Sequence, residues 1–213
     1  GAALASGGVE NTLVGDYAGT AITTGDYNTA VGKNALPSED VGQSAVAIGY
    51  SALGSQNTGS QSHVNNVGVG VNTGYYNGTG TNNTWLGANA GVGASGQSNS
   101  SNTGVGSNAM LAVTTGGSNV AVGTSAGRSL TTGENNVAVG KDALYYGSTE
   151  TDDNIAIGKN SMAGNFGTAA VNDCIAIGTD SLDAVLTSAA SGAVAIGKSA
   201  LTALTSGIGN VAI

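Results

Sequence analysis

Asn119-Val-Ala-Val-Gly123 decides the fold, because 17 residues later the chain repeats it without change as Asn136-Val-Ala-Val-Gly140. Upstream the same unit reads Asn11-Thr-Leu-Val-Gly15, Asn28-Thr-Ala-Val-Gly32, Ala45-Val-Ala-Ile-Gly49, Asn66-Val-Gly-Val-Gly70, Asn83-Thr-Trp-Leu-Gly87 and Asn102-Thr-Gly-Val-Gly106. Downstream it reads Asn154-Ile-Ala-Ile-Gly158, Cys174-Ile-Ala-Ile-Gly178 and Ala193-Val-Ala-Ile-Gly197, with a last copy Asn210-Val-Ala-Ile213. The closing glycines stand 17 to 21 residues apart. A fixed period of this size is the mark of a solenoid or array.

Alternation of β-branched and small residues predicts a short strand in every copy. The second half of each copy runs x-x-Ala/Ser-Leu/Met/Gly, as in Lys33-Asn34-Ala35-Leu36 and Lys141-Asp142-Ala143-Leu144, and leads into a Thr-Thr-Gly or Ser-Gly turn. Glycine every few residues argues against helix. The Gly after each strand fits a corner that needs positive φ or close backbone approach. A unit this short cannot bury its own apolar side chains, whereas stacked copies supply each other with backbone partners and a shared core. The expectation is an all-β parallel β-solenoid or β-roll of about twelve coils, with a length on the order of 55–60 Å at ~4.8 Å per coil. Longer intervals place insertions at Gly54–Asn65, Val92–Ser101, Ala163–Asp173 and Asp183–Gly192, expected to leave the rod as loops.

Asparagine opens nine of the twelve copies, at Asn11, Asn28, Asn66, Asn83, Asn102, Asn119, Asn136, Asn154 and Asn210. Stacked one coil apart, these side chains are expected to form an amide ladder, each donating to the next; a simple turn preference of Asn is the plainer reading. The second position drifts from Thr in the early copies to Val or Ile from Val120 onward, which predicts a drier, more rigid C-terminal half. Val120, Val122 and Leu130 are the kind of side chain expected to core a coil. A stripe of small residues (Ala30, Ala47, Gly68, Gly104, Ala121, Ala138, Ala156, Ala176, Ala195) is expected to give a flat face for close approach of identical chains.

Composition narrows the function. Five Lys and Arg against thirteen Asp and Glu leave a net charge of −8. So few cations cannot neutralise a row of phosphates, which argues against nucleic acid as a partner, and the same shortage argues against attachment to anionic lipid. No apolar run approaches the ~18 residues of a membrane span. One His and one Cys exclude a Cys/His metal cluster and an internal disulfide. His63 reads as a solvated loop residue, Cys174 as an inert buried thiol in the Asn register, and Glu150, Asp152 and Asp153 as a charged loop that discourages edge pairing. Gly68-Val-Gly70 and Gly104-Val-Gly106 lack the strand–loop–helix setting of a phosphate loop. No enzymatic role, catalytic residue, metal site or cofactor is expected. The aromatics are the remaining candidates: Tyr75-Tyr76 and Tyr145-Tyr146 at a coil edge, and Trp85 where most copies have Ala or Gly. They are expected either to pack at a corner or between subunits, or to contact a cell-surface glycan or receptor; Trp85 in particular is expected to cap a wider interface or stand exposed.

The unit Asn-x-Ala-Val/Ile-Gly-x-x-Ala/Ser-Leu joined by Thr-Thr-Gly resembles the repeat arrays of bacteriophage and viral tail fibres. It is also similar to the head repeats of trimeric autotransporter adhesins of the Yersinia adhesin type, whose period is nearer 14 residues. The resemblance runs from Asn11 to Ile213. It implies a homotrimer of left-handed β-rolls forming a structural segment of a virion tail fibre that supports host attachment, or alternatively an adhesin head on a bacterial outer surface. Residues 1–213 are read as one repeat array, with Gly1–Glu10 as an N-terminal cap or junction. The break inside the last copy is what a fragment of a longer fibre would show.

Overall fold

The computed structural model describes residues 8–147, 150–187 and 190–213; most of the expected N-terminal cap, Gly1–Gly7, lies outside them. Twelve short strands form one parallel sheet in sequence order: β1 (Thr12–Val14), β2 (Thr29–Val31), β3 (Val46–Ile48), β4 (Val67–Val69), β5 (Thr84–Leu86), β6 (Thr103–Val105), β7 (Val120–Val122), β8 (Val137–Val139), β9 (Ile155–Ile157), β10 (Ile175–Ile177), β11 (Val194–Ile196) and β12 (Val211–Ala212). Each strand is the centre of one repeat, and like positions pair: Val120 with Val137, Ala121 with Ala138, Val122 with Val139. The protein is a parallel β-solenoid with one coil per repeat, and the described residues contain no α-helix.

Corners are made by left-handed residues at fixed places. The strand-closing glycines all have φ between 122° and 137°. In all but the last of them a Cβ would collide with the backbone of the next coil's glycine, 2.5 Å from the Gly140 carbonyl oxygen in the case of Gly123. Two residues further on, Asn, Asp or Ser takes φ near 55° in every coil but the first, where Tyr17 stands, as at Asn34, Asn89 and Asp142, which suits their tolerance of the left-handed region. Two residues beyond that, Leu36, Leu53, Met110, Leu144, Met162 and Leu182 do the same at φ 46–50°. That conformation costs an ordinary side chain roughly 1–2 kcal/mol. Each of these side chains is fully buried, which contributes roughly 1.5–3 kcal/mol and offsets the strain.

The strand polarity is the reverse of the expectation. In every strand from β2 to β11 the middle residue is buried and the two flanking residues are not. Ala30, Ala47, Ala121, Ala138, Ala156, Ala176 and Ala195 are fully enclosed, while Val120 and Val122 are more than a third exposed. The small-residue stripe therefore lines the interior, and the Val/Ile rows form the outer face. The cause is volume. In most coils the interior already takes a Leu or Met from the second half-repeat: a Cβ on Gly68 would sit 3.0 Å from Leu53 Cγ. Only a small residue fits opposite. Consequently the Thr-to-Val drift dries the outer face of the C-terminal half and leaves its interior unchanged.

The insertions also differ from simple solvated loops. Val64, Phe166, Val171 and Leu186 are buried among the core residues, so each long interval except the second returns an apolar anchor to the stack. The second returns the buried Asn99, whose N–H donates to Asn77 Oδ1. The first insertion also reaches Glu39, a buried residue of the preceding coil, whose Oε1 accepts from Gly42 N at 2.9 Å and from Thr58 Oγ1 at 3.3 Å.

Candidate functional site

Three features on this scaffold bear on function: the asparagine row, the aliphatic outer face and the aromatic corner. The asparagine row is internal. Asn28, Asn66, Asn83, Asn102, Asn119, Asn136 and Asn154 are buried. Each Oδ1 accepts the backbone N–H of the equivalent residue one coil on, as in Asn136 N to Asn119 Oδ1 at 2.9 Å. The Nδ2 groups of Asn83, Asn119, Asn136 and Asn154 also donate to the preceding Oδ1 at 3.0–3.1 Å. A second Nδ2 bond reaches a turn carbonyl at the end of the same coil, Asn119 to Gly133 at 2.7 Å. Asn thus joins neighbouring coils and closes its own, which an ionised Asp, an acceptor only, cannot do. At the ends, Asn11 Nδ2 donates to Gly25 O and Asn210 Nδ2 to Gly207 O. Replacing Asn119 by Ala strands buried donors and acceptors on both sides, and is expected to cost about 1–3 kcal/mol, measured by urea unfolding; Asn119→Asp keeps the acceptor and should also be destabilised by its buried charge.

Cys174 stands in this row. Its N–H donates to Asn154 Oδ1 at 3.0 Å, and its Sγ lies 3.5 Å from Ala190 O, where an Asn amide would otherwise point. Burial pushes the thiol pKa above its ordinary value. The thiolate is the reactive form, so the folded protein should resist a thiol reagent such as dithionitrobenzoate at pH 8 and react with one equivalent once denatured.

The outer face carries two parallel rows, one from each flank of the strands: the row after the middle residue is aliphatic from Val14 to Ile196, and the row before it has Thr at Thr12, Thr29, Thr84 and Thr103. Val122, Ile157 and Ile177 are each more than a third exposed, and Val14 and Leu86 more so. From β7 to β11 both rows are entirely Val or Ile. Exposed apolar rows of this kind make the outer face a candidate interaction surface.

Of the aromatics singled out by sequence, the structure separates Trp85 from the tyrosines. Trp85 is fully buried, neither exposed nor at an outer face. Its ring fills the interior where four glycines leave room: a Cβ on Gly74 or Gly104 would lie 2.8 or 2.6 Å from it, and one on Gly91 would overlap the ring, while Gly68 stands beside it in the neighbouring strand. Coils lacking the inward Leu or Met at the second half-repeat (Gly74, Gly91) receive their volume from Trp85 instead. Leu13 plays the same part opposite Gly19.

The two tyrosine pairs do lie at one coil corner. Tyr75 and Tyr76 meet edge to face with centroids 4.7 Å apart, and Tyr145 and Tyr146 at 4.5 Å. Arg128 lies over the Tyr145 ring at 5.3 Å. Tyr75 covers Gly54 of the preceding coil, whose Cβ would come within 2.6 Å of the ring. An open groove runs beside the first pair, lined also by Tyr50 and by Asn72, Asn89 and Asn108. These four residues are absent from the candidates read in the sequence. Their signal is positional: the three Asn share the second place after the strand glycine, and Tyr50 the first place one coil earlier. The groove beside Tyr145 and Tyr146 is acidic, with Asp142 and Asp183; burial, then the neighbouring Asp180, raises the Asp183 carboxyl pKa.

No protein-family model matches the chain, and neither does any curated protein or solved structure. His63 is exposed and shares a 2.8 Å hydrogen bond between Nδ1 and Ser44 Oγ. Asp152 Oδ1 accepts from Glu134 N, tying the acidic loop to the coil before it. Among the described residues no three His, Cys, Asp or Glu gather into a metal-sized group.

Proposed function

We propose that the chain is a structural segment of a fibre of the bacteriophage tail fibre kind: a stiff homotrimeric rod, its coils wound left-handed, that supports host attachment at the virion surface and performs no catalysis. The observation that carries this reading is the aliphatic outer face of an in-register stack, with one row unbroken from Val14 to Ile196 and a second joining it from β7 to β11. Aliphatic side chains held in line over eleven coils offer a continuous seam, and a second and third copy supply the same seam in return. The 17–21-residue period, longer than that of adhesin heads, favours the fibre over a bacterial adhesin. Stiffness follows from construction: to bend the rod, backbone hydrogen bonds between coils must lengthen along one side of the stack.

Light scattering with size exclusion tests the assembly. The expected mass is three times that of the 20.3 kDa chain. Placing charge on the seam by Ile157→Asp with Ile177→Asp, where both side chains are more than a third exposed, is expected to give the single-chain mass with the β-sheet circular dichroism retained. A wild-type protein of single-chain mass at micromolar concentration would remove the proposal.

A further inference from the structure

From the corner groove beside Tyr75 and Tyr76, we infer a binding site for an uncharged saccharide chain that runs along the rod. This goes beyond the rod reading and does not depend on it.

The groove combines the two chemistries that a pyranose needs. Tyr50 and Tyr76 are exposed and offer ring surface to the apolar C–H face of a sugar. Val92 and Leu111 extend that apolar floor along two more coils. The same groove is lined by three carboxamides in a directional row: Asn72 Nδ2 donates to Asn89 Oδ1 at 3.4 Å, and Asn89 Nδ2 to Asn108 Oδ1 at 3.3 Å. A carboxamide has two N–H donors and two acceptor positions, so Asn89 keeps one of each for a ligand after its bonds in the row. Vicinal hydroxyls, which both donate and accept, match that pairing.

The row also fixes direction and charge. The carboxamides recur once per coil, at ~4.8 Å, a step close to one residue of an extended pyranose chain, so successive sugars meet equivalent groups. All three Asn are locked at φ 54–58°, which holds the amides in place and lowers the entropy lost on binding. Not one residue lining the groove is charged. On a chain of net charge −8, an anionic glycan is repelled and has no cation here to receive it. A neutral chain is the ligand that fits.

Ligand-observed saturation-transfer NMR tests this with maltohexaose, cellohexaose and mannohexaose as neutral probes, and sialyllactose and a heparin-derived hexasaccharide as charged ones. At least one neutral hexasaccharide is expected to bind, and neither charged probe. Tyr50→Ala and Asn89→Asp are each expected to weaken binding at least tenfold with the melting temperature unchanged, because both side chains lie outside the core. Tyr17→Ala, an exposed tyrosine away from the groove, should bind as the parent does. Silence from all three neutral probes, equal binding of a charged one, parent-like binding by both groove variants, or an equal loss in Tyr17→Ala would each overturn the assignment. The oligomeric mass is read separately, so the saccharide site and the rod reading fail independently.

Discussion

Gly123→Ala is expected to destabilise the protein by about 3 kcal/mol or more. Two effects combine there. The residue sits at φ 137°, a region that L side chains rarely adopt, and the new Cβ lies 2.5 Å from the Gly140 carbonyl oxygen. The oxygen belongs to the backbone of the next coil, so relief requires separating the coils. Gly197 distinguishes the two effects: it has φ 122° but nothing within 4 Å of its Cβ position. Gly197→Ala therefore carries the conformational cost alone, and its loss in chemical denaturation should be at least ~2 kcal/mol smaller. Hydrogen exchange should locate the damage, since stability in a repeat array is coupled between neighbours: protection is expected to fall first at Val122 and Val139.

Trp85→Ala is expected to cost about 3–5 kcal/mol, the range for removing a large buried aromatic. The glycines around it make the site a lock of complementary volumes, so the substitution should be strongly non-additive with Gly91→Ala. Alone, Gly91→Ala drives a methyl into the indole; beside Trp85→Ala, the same methyl enters the vacated space. The double variant is expected to be more stable than the sum of the two losses predicts by at least ~1 kcal/mol. Trp85 is the chain's single tryptophan, and its fluorescence reports the state of the core directly. The folded protein should emit at the short wavelengths of an enclosed indole and shift to the red on unfolding.

Coil number, strand positions and register were legible in the sequence because one pentapeptide recurs and every copy closes on glycine. The direction in which each strand faces was not. Alternation of Val, Ala and Val states that two faces exist, and hydrophobicity alone assigns the larger residues to the interior. The interior is instead set by residues five places further on, Leu36, Leu53 and Leu144 among them, which enter from the opposite wall and leave space only for Ala. Trp85 follows the same rule. Beside Gly74 and Gly91 it reads as a core residue once the inward place of the second half-repeat is recognised, and as an anomaly before. Tyr75 and Tyr145 share a corner by register and are visible in sequence; the amide row at Asn72, Asn89 and Asn108 needs the coil stacked before it becomes a row.

Direct superposition of the repeats can be tested by disulfide trapping in a Cys174→Ala background, Ala being the residue already present in this register at Ala45 and Ala193. Val120 pairs with Val137, and Val122 with Val139, on the outer side of adjacent strands. Neighbouring strands lie ~4.8 Å apart, inside the range that a disulfide spans. On mild oxidation, Val120→Cys with Val137→Cys, and Val122→Cys with Val139→Cys, should each close a bond within one chain, whereas the diagonal pair Val120→Cys with Val139→Cys should stay reduced. Closure of the diagonal pair in preference, or no closure at either matched pair, would contradict the in-register stack.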